Sequence, residues 1–539
     1  GRGHSSTRVP GRLITMRVVA LALCAAASLA AAPRHASEEV EAALARVPVV
    51  DVLALRSKGD PTCPKLPQPV ELPSPRPDGV TAALAALQAV LDASTDPVAI
   101  PGMSAAIGYR GDTIEVITKG FANVSSGSKV DASTPFRIGS VTKVFSAILV
   151  LQAASAGMIH LDDPVAVAVP DFSVINPFGS GLVTWRQLLA QRSGLQREAP
   201  QPVNSTDEAL AAVAKTFLLR APGGKPSYSN LGFALAGNLV AERVVGGGHT
   251  FTSLVQAWVV EPLGLSHTGN VYGPGTPAGL AVPYQANGEP YPFYDLGWVG
   301  PAGSMYSSPS DLVSVASALM QAAKGQGPLA PRIRQDIAAA FMDPDYRNPD
   351  GLTLFGWPWE MRVAGSFLLR RKGGNIPGST ALISFVPELE TAVAVTWNGG
   401  QDEFALATEA WGAFLPNFTQ ALSALQPSPF RPGPRYTDYV GAYTFKGLLN
   451  ASVLFDKPSG SLVATVQGVV NIYINDASAI TGRPDTYQAY LPPDLVPCLP
   501  AELQAIGGEY FLFTRGKDGA VSSMSVPGYI PGLVFSRVV

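Results

Sequence analysis

The sequence predicts an α+β chain in which one antiparallel sheet is flanked by helices and a small antiparallel β domain follows. Three observations carry this. Two strand-like runs stand at the front, "MSAAIGYR" (103–110) and "TIEVITKGFANV" (113–124), joined by a Gly-Asp turn that signals a hairpin. Three more come late, "SFLLRRK" (366–372), "TALISFVP" (380–387) and "TAVAVTWN" (391–398), with a mostly helical stretch between the two groups. Strands at both ends of a helical middle close most simply into a single sheet, two strands from the front and three from the back. Beyond 435 the strands are short and alternate with turns, without a helical period.

The elements follow in order. Residues 1–32 read as a targeting segment: from Met16, "MRVVALALCAAASLAAAP" has a basic start, a short apolar run and small residues at Ala30 and Ala32. A cleaved secretory signal, and so a secreted or extracellular protein, is the leading expectation. An uncleaved membrane anchor and a mitochondrial transit peptide fit the same residues, the latter through Arg2, Arg8, Arg12 and Arg17 with no acid before Glu38. Residues 33–95 hold a proline-dense, extended stretch, "PTCPKLPQPVELPSPRP" (61–77), then a helix with Leu and Val at helical spacing over 78–95. Residues 96–425 form the main domain, closing with a helix over 402–425. "QPSPFRPGPR" (426–435) is a linker, and 436–539 is a barrel or sandwich.

Composition narrows the partners. A net charge of −3 and the lack of a Lys/Arg-rich stripe give no footprint for nucleic acid or for an anionic membrane surface. Oligomeric state is not legible. After loss of Cys24 with the signal, Cys63 and Cys498 remain; a disulfide between them and two free thiols are both open. Sequons at Asn123, Asn204, Asn417 and Asn450 matter only in a eukaryotic secretory route.

The chemistry concentrates at "FRIGSVTKVF" (136–145), where one lysine sits in an apolar helical run three residues after a serine. A serine hydroxyl needs a base to become a nucleophile. Free N–H groups at a helix start favour developing negative charge. Residues i and i+3 share a face, and a buried lysine holds its proton weakly. Ser140 and Lys143 thus form a compact nucleophile–base pair. The same spacing also suits a serine cap with a snorkelling lysine, and Ser126–Lys129 repeats it in a Gly/Ser turn. Company and order separate them: Tyr228-Ser229-Asn230 precedes another helix, and Lys372-Gly373-Gly374 ends a predicted strand. A phenol near an ammonium can share its proton, an amide can hold a carbonyl, and glycines let a substrate approach.

The ordered trio resembles that of the serine β-lactamase and penicillin-binding-protein family, most closely its class C-type branch, which includes β-lactamase-like proteins of eukaryotes. "HLDDPVAVAVPDF" (160–172), "TWRQLLAQRSGL" (184–195), "VVEPLGLSHTG" (259–269) and "GPAGSMYSSPSDL" (300–312) extend the resemblance over about 95–425, and "YVGAY" (439–443) resembles the start of an appended β domain. The resemblance implies a β-lactamase/transpeptidase-like fold and a serine hydrolase that forms an acyl-enzyme on a small-molecule or peptide substrate, with no cofactor and no metal. It implies Ser140 as nucleophile, Lys143 as base, Tyr228 as proton relay, Asn230 as a contact to the substrate carbonyl or to Lys143, Lys372 as a substrate-side group in the place of the K-T-G lysine, and an oxyanion hole from the N–H groups of Ser140 and Asn375, beyond Gly374. A catalytically idle structural module and a penicillin-sensitive D-Ala-D-Ala peptidase are the alternatives. K-G-G stands where the family has K-T-G, which removes a carboxylate-binding hydroxyl; Gln191 stands where relatives often have histidine. His267 lies in a surface-turn context and is set aside.

Overall fold

The computed structural model describes residues 50–51, 67–270, 277–426, 431–447, 449–457, 460–466, 470–490, 508–528, 532 and 534–538. The targeting segment, Cys63 and Cys498 lie outside the described residues. The chain divides into two compact units, 68–425 and a second formed by 1–67 with 426–539.

Unit 68–425 is built on a nine-stranded antiparallel sheet. Its strands are β1 (Gly102–Tyr109), β2 (Asp112–Asn123), β3 (Ser128–Lys129), β6 (Tyr346–Arg347), β7 (Thr353–Phe355), β8 (Glu360–Ala364), β9 (Phe367–Ile376), β10 (Ser379–Val386) and β11 (Thr391–Trp397), in the spatial order β3-β2-β1-β11-β10-β9-β8-β7-β6. A separate two-stranded ribbon pairs β4 (Phe136–Arg137) with β5 (Tyr306–Ser307). The five expected strands are the centre of the sheet. The sheet is wider than expected by β3 at one edge and β6 to β8 at the other, all short. β1, β10 and β11 are buried along their whole length, which is why they read as apolar runs without alternation.

Helices cover both faces. On one side α1 (Asp78–Asp92) crosses the closing helix α5 (Glu403–Leu425) at Gly79, where an added Cβ would lie 2.9 Å from Ala421 Cβ. Val80, Ala83, Leu84, Leu87 and Leu91 form the buried stripe of α1, and α5 buries Trp411, Phe414 and Phe418. The indole of Trp411 donates to Ser384 Oγ on β10 at 2.7 Å, so its one polar atom is satisfied in the core. The helical middle holds α2 (Thr142–Ser155), α3 (Asn230–Leu239) and α4 (Pro309–Ala322). α2 is buried on every side from Thr142 to Ala154, the mark of a central core helix. Ser308 caps α4 by accepting from Asp311 N–H, with Pro309 pre-set in the first turn.

In the other unit eight antiparallel strands close into a barrel. They are Gly441–Phe445, Leu449–Asp456, Ser461–Val466, Val470–Asp476, Thr486–Ala489, Tyr510–Arg515, Val521–Ser525 and Val534–Arg537, with Val470–Asp476 pairing to Thr486–Ala489 to complete the ring. Tyr443, Val453, Leu462, Ile474, Tyr487 and Phe511 fill its interior. Val50–Asp51 adds to Val470–Asn471 in parallel. No helix among the described residues is long and apolar enough to cross a membrane.

Candidate active site

The site begins with a backbone contact. Gly139 adopts φ +48°, and a side chain there would meet Gly374 C at 3.2 Å and Asn375 N at 3.3 Å. Reciprocally, a Cβ on Gly374 would fall 2.0 Å from Ile138 O and 2.9 Å from the backbone nitrogens of Ser140 and Val141. Two glycines therefore let β9 lie directly on the turn Gly139–Val141, which carries Ser140 and runs into α2. Ile138 N–H donates to Met305 O at 3.0 Å and Met305 N–H to Thr142 Oγ1 at 3.0 Å, pinning the turn from its other side.

Lys143 is fully buried on the first turn of α2. Its Nζ lies 2.9 Å from Ser140 Oγ, 2.9 Å from Asn230 Oδ1 and 2.6 Å from Ala302 O. Burial pushes its pKa down to about 8; the nearby Lys372 adds to this and Tyr228 opposes it. A neutral amine has two N–H groups and one lone pair. Asn230 Oδ1 and Ala302 O can take the two N–H groups, leaving the lone pair for the Ser140 hydroxyl. Asn230 is held in that orientation because its Nδ2 donates to both Glu198 oxygens at 2.9 and 3.0 Å.

Tyr228 OH is 2.6 Å from Ser140 Oγ. Burial alone would raise the phenol's pKa, but Lys372 and Lys143 outweigh it and hold Tyr228 below the ordinary tyrosine value. Its loop is set by Gln191, which at φ +60° accepts Ser227 N–H on its carbonyl and Ser229 N–H on its side chain, each at 2.7 Å. Ser229 in turn caps α3 through Gly232 N–H. Lys372 Nζ lies 5.3 Å from the Tyr228 ring centre and donates to Glu360 Oε2 at 2.9 Å and Gly373 O at 2.8 Å. Burial works against its charge, yet Glu360 and Tyr228 prevail and raise its pKa. A cavity of about 220 Å³ borders Tyr228 and Glu360 and is lined by Gln191, Phe355 and Trp359.

Of the seven candidates, Ser140, Lys143 and Tyr228 share direct hydrogen bonds, and Asn230 joins them through Lys143. Lys372 stands beside the Tyr228 ring, and Gly374 packs on the serine turn. Asn375 is exposed, with its side-chain amide 3.3 Å from Gln401 O. Lys372-Gly373-Gly374 lies inside β9 rather than at its end, because the strand continues to Ile376 against β10. β8 meets β9 only along Phe367–Leu369, so past Leu369 that edge of β9 is released from β8. His267 is apart: its N–H donates to Asp311 and its ring meets Ser266. Glu198, Glu360 and the Ala302 carbonyl were not singled out from sequence. "WPWEMRV" did put an acid in an apolar run, but nothing local pointed it at Lys372. Among the described residues no group of three or more His, Cys, Asp or Glu is placed to hold a metal ion.

A family model described as Beta-lactamase matches residues 87–415. A human protein named "Putative beta-lactamase-like 1" is 31% identical over 412 residues, 72% of this chain and 78% of its own length. A Pseudomonas fluorescens "Beta-lactamase" is 30% identical over 285 residues, 51% of this chain and 74% of its own. Among solved structures, a class C β-lactamase from Rhodobacter sphaeroides aligns with a TM-score of 0.53 at 20% identity, covering 63% of this chain and 99% of that one. SurE aligns with 0.52 at 21% identity, covering 85% and 100%. The chain therefore belongs to the Beta-lactamase family.

Proposed function

We propose that this protein is a serine hydrolase that acylates Ser140 with an ester, amide or peptide substrate. The observation that carries the reading is that Ser140 Oγ lies within hydrogen-bond reach of both the Lys143 amine and the Tyr228 phenol. The neutral amine of Lys143 takes the Ser140 proton as Oγ bonds to the substrate carbonyl carbon. The oxygen that gains charge is held by the N–H groups of Ser140 and Asn375, a role supported by the close approach of Gly374 to the turn that carries Ser140. The carbon–leaving-group bond then breaks, and Tyr228 O–H supplies the departing atom with a proton, refilled from Lys143. Water then bonds to the acyl-Ser140 carbonyl carbon as Tyr228 takes its proton and passes its own to Lys143; the bond from that carbon to Ser140 Oγ breaks, Lys143 returns the proton to Oγ, and the acid leaves with the enzyme restored. The released edge of β9 offers backbone groups to an extended substrate as an added strand.

The test is turnover of a panel of simple esters, a D-Ala-D-Ala peptide and a penicillin by the full chain and by Ser140→Ala. Ester hydrolysis lost in the variant is the expected result. Turnover of the D-Ala-D-Ala peptide with penicillin inhibition would instead assign the peptidase reading. No turnover by folded protein on any of them favours the idle scaffold. The N-terminal segment is proposed as a cleaved secretory signal; a mature N-terminus near Pro33 is expected, and its retention would favour an anchor.

A further inference from the structure

Glu198 faces solvent, yet a chain of hydrogen bonds joins it to Ser140. Its side chain is 59% exposed. Asn230 Nδ2 donates to both of its oxygens, at 2.9 and 3.0 Å. Asn230 Oδ1 lies 2.9 Å from Lys143 Nζ, and Nζ lies 2.9 Å from Ser140 Oγ. The backbone fixes where the carboxylate stands. Ser229 Oγ donates to Gln196 O at 2.7 Å, and the N–H groups of Asn230 and Leu231 donate to Arg197 O at 2.7 and 3.2 Å. The first turn of α3 is thus tied to residues 196–197, and Glu198 follows directly. Its charged neighbour is Arg197, whose Nε lies 3.1 Å from Glu198 Oε1 and whose guanidinium lies 5.0 Å from the Tyr228 ring centre.

The Asn230 amide carries an acceptor and a donor on one planar group, so its two orientations offer Lys143 opposite partners. An ionised carboxylate only accepts. Glu198 therefore selects the orientation with Nδ2 toward itself and Oδ1 toward Lys143. In that orientation Asn230 Oδ1 and Ala302 O accept the two N–H groups of the neutral amine, and its lone pair is left for Ser140. Turned over, the amide would present N–H to the amine, draw the lone pair away from Ser140 and oppose the ammonium form.

We propose that Glu198 is a positioning residue for acylation, which holds the Asn230 amide so that the lone pair of Lys143 is directed at Ser140. This rests on the serine-hydrolase reading above. The test is the pH profile of fluorophosphonate labelling for the parent chain, Glu198→Ala and Glu198→Gln, with thermal unfolding measured beside it. Both substitutions remove the charge, but only glutamine keeps an acceptor for Asn230 Nδ2. The plateau rate should fall about 10-fold in Glu198→Ala, the scale of one hydrogen bond to a charged group, and stay within about threefold of the parent in Glu198→Gln. The ammonium form of Lys143 loses Oδ1 as an acceptor only in the alanine variant, so the profile's midpoint should lie lower there than in Glu198→Gln. Lys372, Glu360 and Tyr228, the other titratable groups that act on Lys143, are the same in all three proteins. Equal plateaus in the two variants, or equal midpoints, on folded protein overturn the inference and leave the hydrolase reading standing. If the parent takes no label, the hydrolase reading fails, and the orienting role is read from the carbon-13 titration of Lys143 Cε, assigned by its loss in Lys143→Ala. A lower midpoint in Glu198→Ala than in Glu198→Gln supports it; equal midpoints overturn it.

Discussion

Replacing Gly374 by alanine tests whether the contact between β9 and the serine turn is what assembles the site. The added methyl carbon would start 2.0 Å from Ile138 O and 2.9 Å from the backbone nitrogens of Ser140 and Val141. Carbon and oxygen settle near 3.5 Å, so strand and turn must part by more than about 1 Å. All three close atoms are backbone, so no rotamer change can relieve the clash. Separation moves Asn375 N away from Ser140 N and so widens the proposed oxyanion position. A displacement of about 1 Å typically costs on the order of 10²-fold in rate, and overpacking of this kind costs about 1–3 kcal/mol in stability. The assay is the second-order rate of fluorophosphonate labelling of Ser140, with thermal unfolding measured beside it. Gly400→Ala is the control, since nothing lies within 4 Å of a Cβ there. A labelling rate for Gly374→Ala within threefold of the parent, on folded protein, would refute the reasoning.

Lys143→Ala should lower acylation by about 10²–10⁴-fold while Ser140 stays in place; single-turnover kinetics read the loss. On the proposed role of Lys143 as the neutral base, with burial pushing its pKa down to about 8, the acylation rate should rise with pH up to about 8 and then level. A flat profile from pH 6 to 9 would exclude the amine as base. In the barrel unit, Arg515 donates to Asp485 at 2.9 Å and to Asp438 at 3.0 Å. Asp485 is 13% exposed in its side chain and without Arg515 keeps, among the described residues, only the Tyr439 hydroxyl at 2.5 Å and Arg435 at 3.9 Å, so Arg515→Ala should cost about 1–3 kcal/mol; calorimetry should show a lowered unfolding transition with Ser140 labelling unchanged. Intact mass with and without reductant decides the Cys63–Cys498 pairing, and two alkylatable thiols in native protein would end it.

Legibility in the sequence followed the range of the interactions. β1, β2 and β9 to β11 declare themselves because each is a long run with its own turns. β6 to β8 do not, because two to five residues around "FGWPWEMRV" carry no period and gain their pairing from the neighbouring edge. At the site, Ser140 and Lys143 are legible because three residues on one helical start fix their approach. Tyr228 and Lys372 are legible only as an ordered set that resembles a known family. Glu360 is an acid twelve residues from its lysine, and the Ala302 carbonyl meets a lysine 159 residues earlier. Such contacts are set by packing of distant elements, and no local spacing encodes them.

The central claim is that Ser140 is a live nucleophile. Intact-mass labelling of the purified 539-residue chain with a fluorophosphonate, beside Ser140→Ala, tests it most directly. One adduct per chain, mapped to Ser140 and missing from the variant, is the predicted result. A folded parent that takes no adduct, or an adduct retained in Ser140→Ala, would contradict the account.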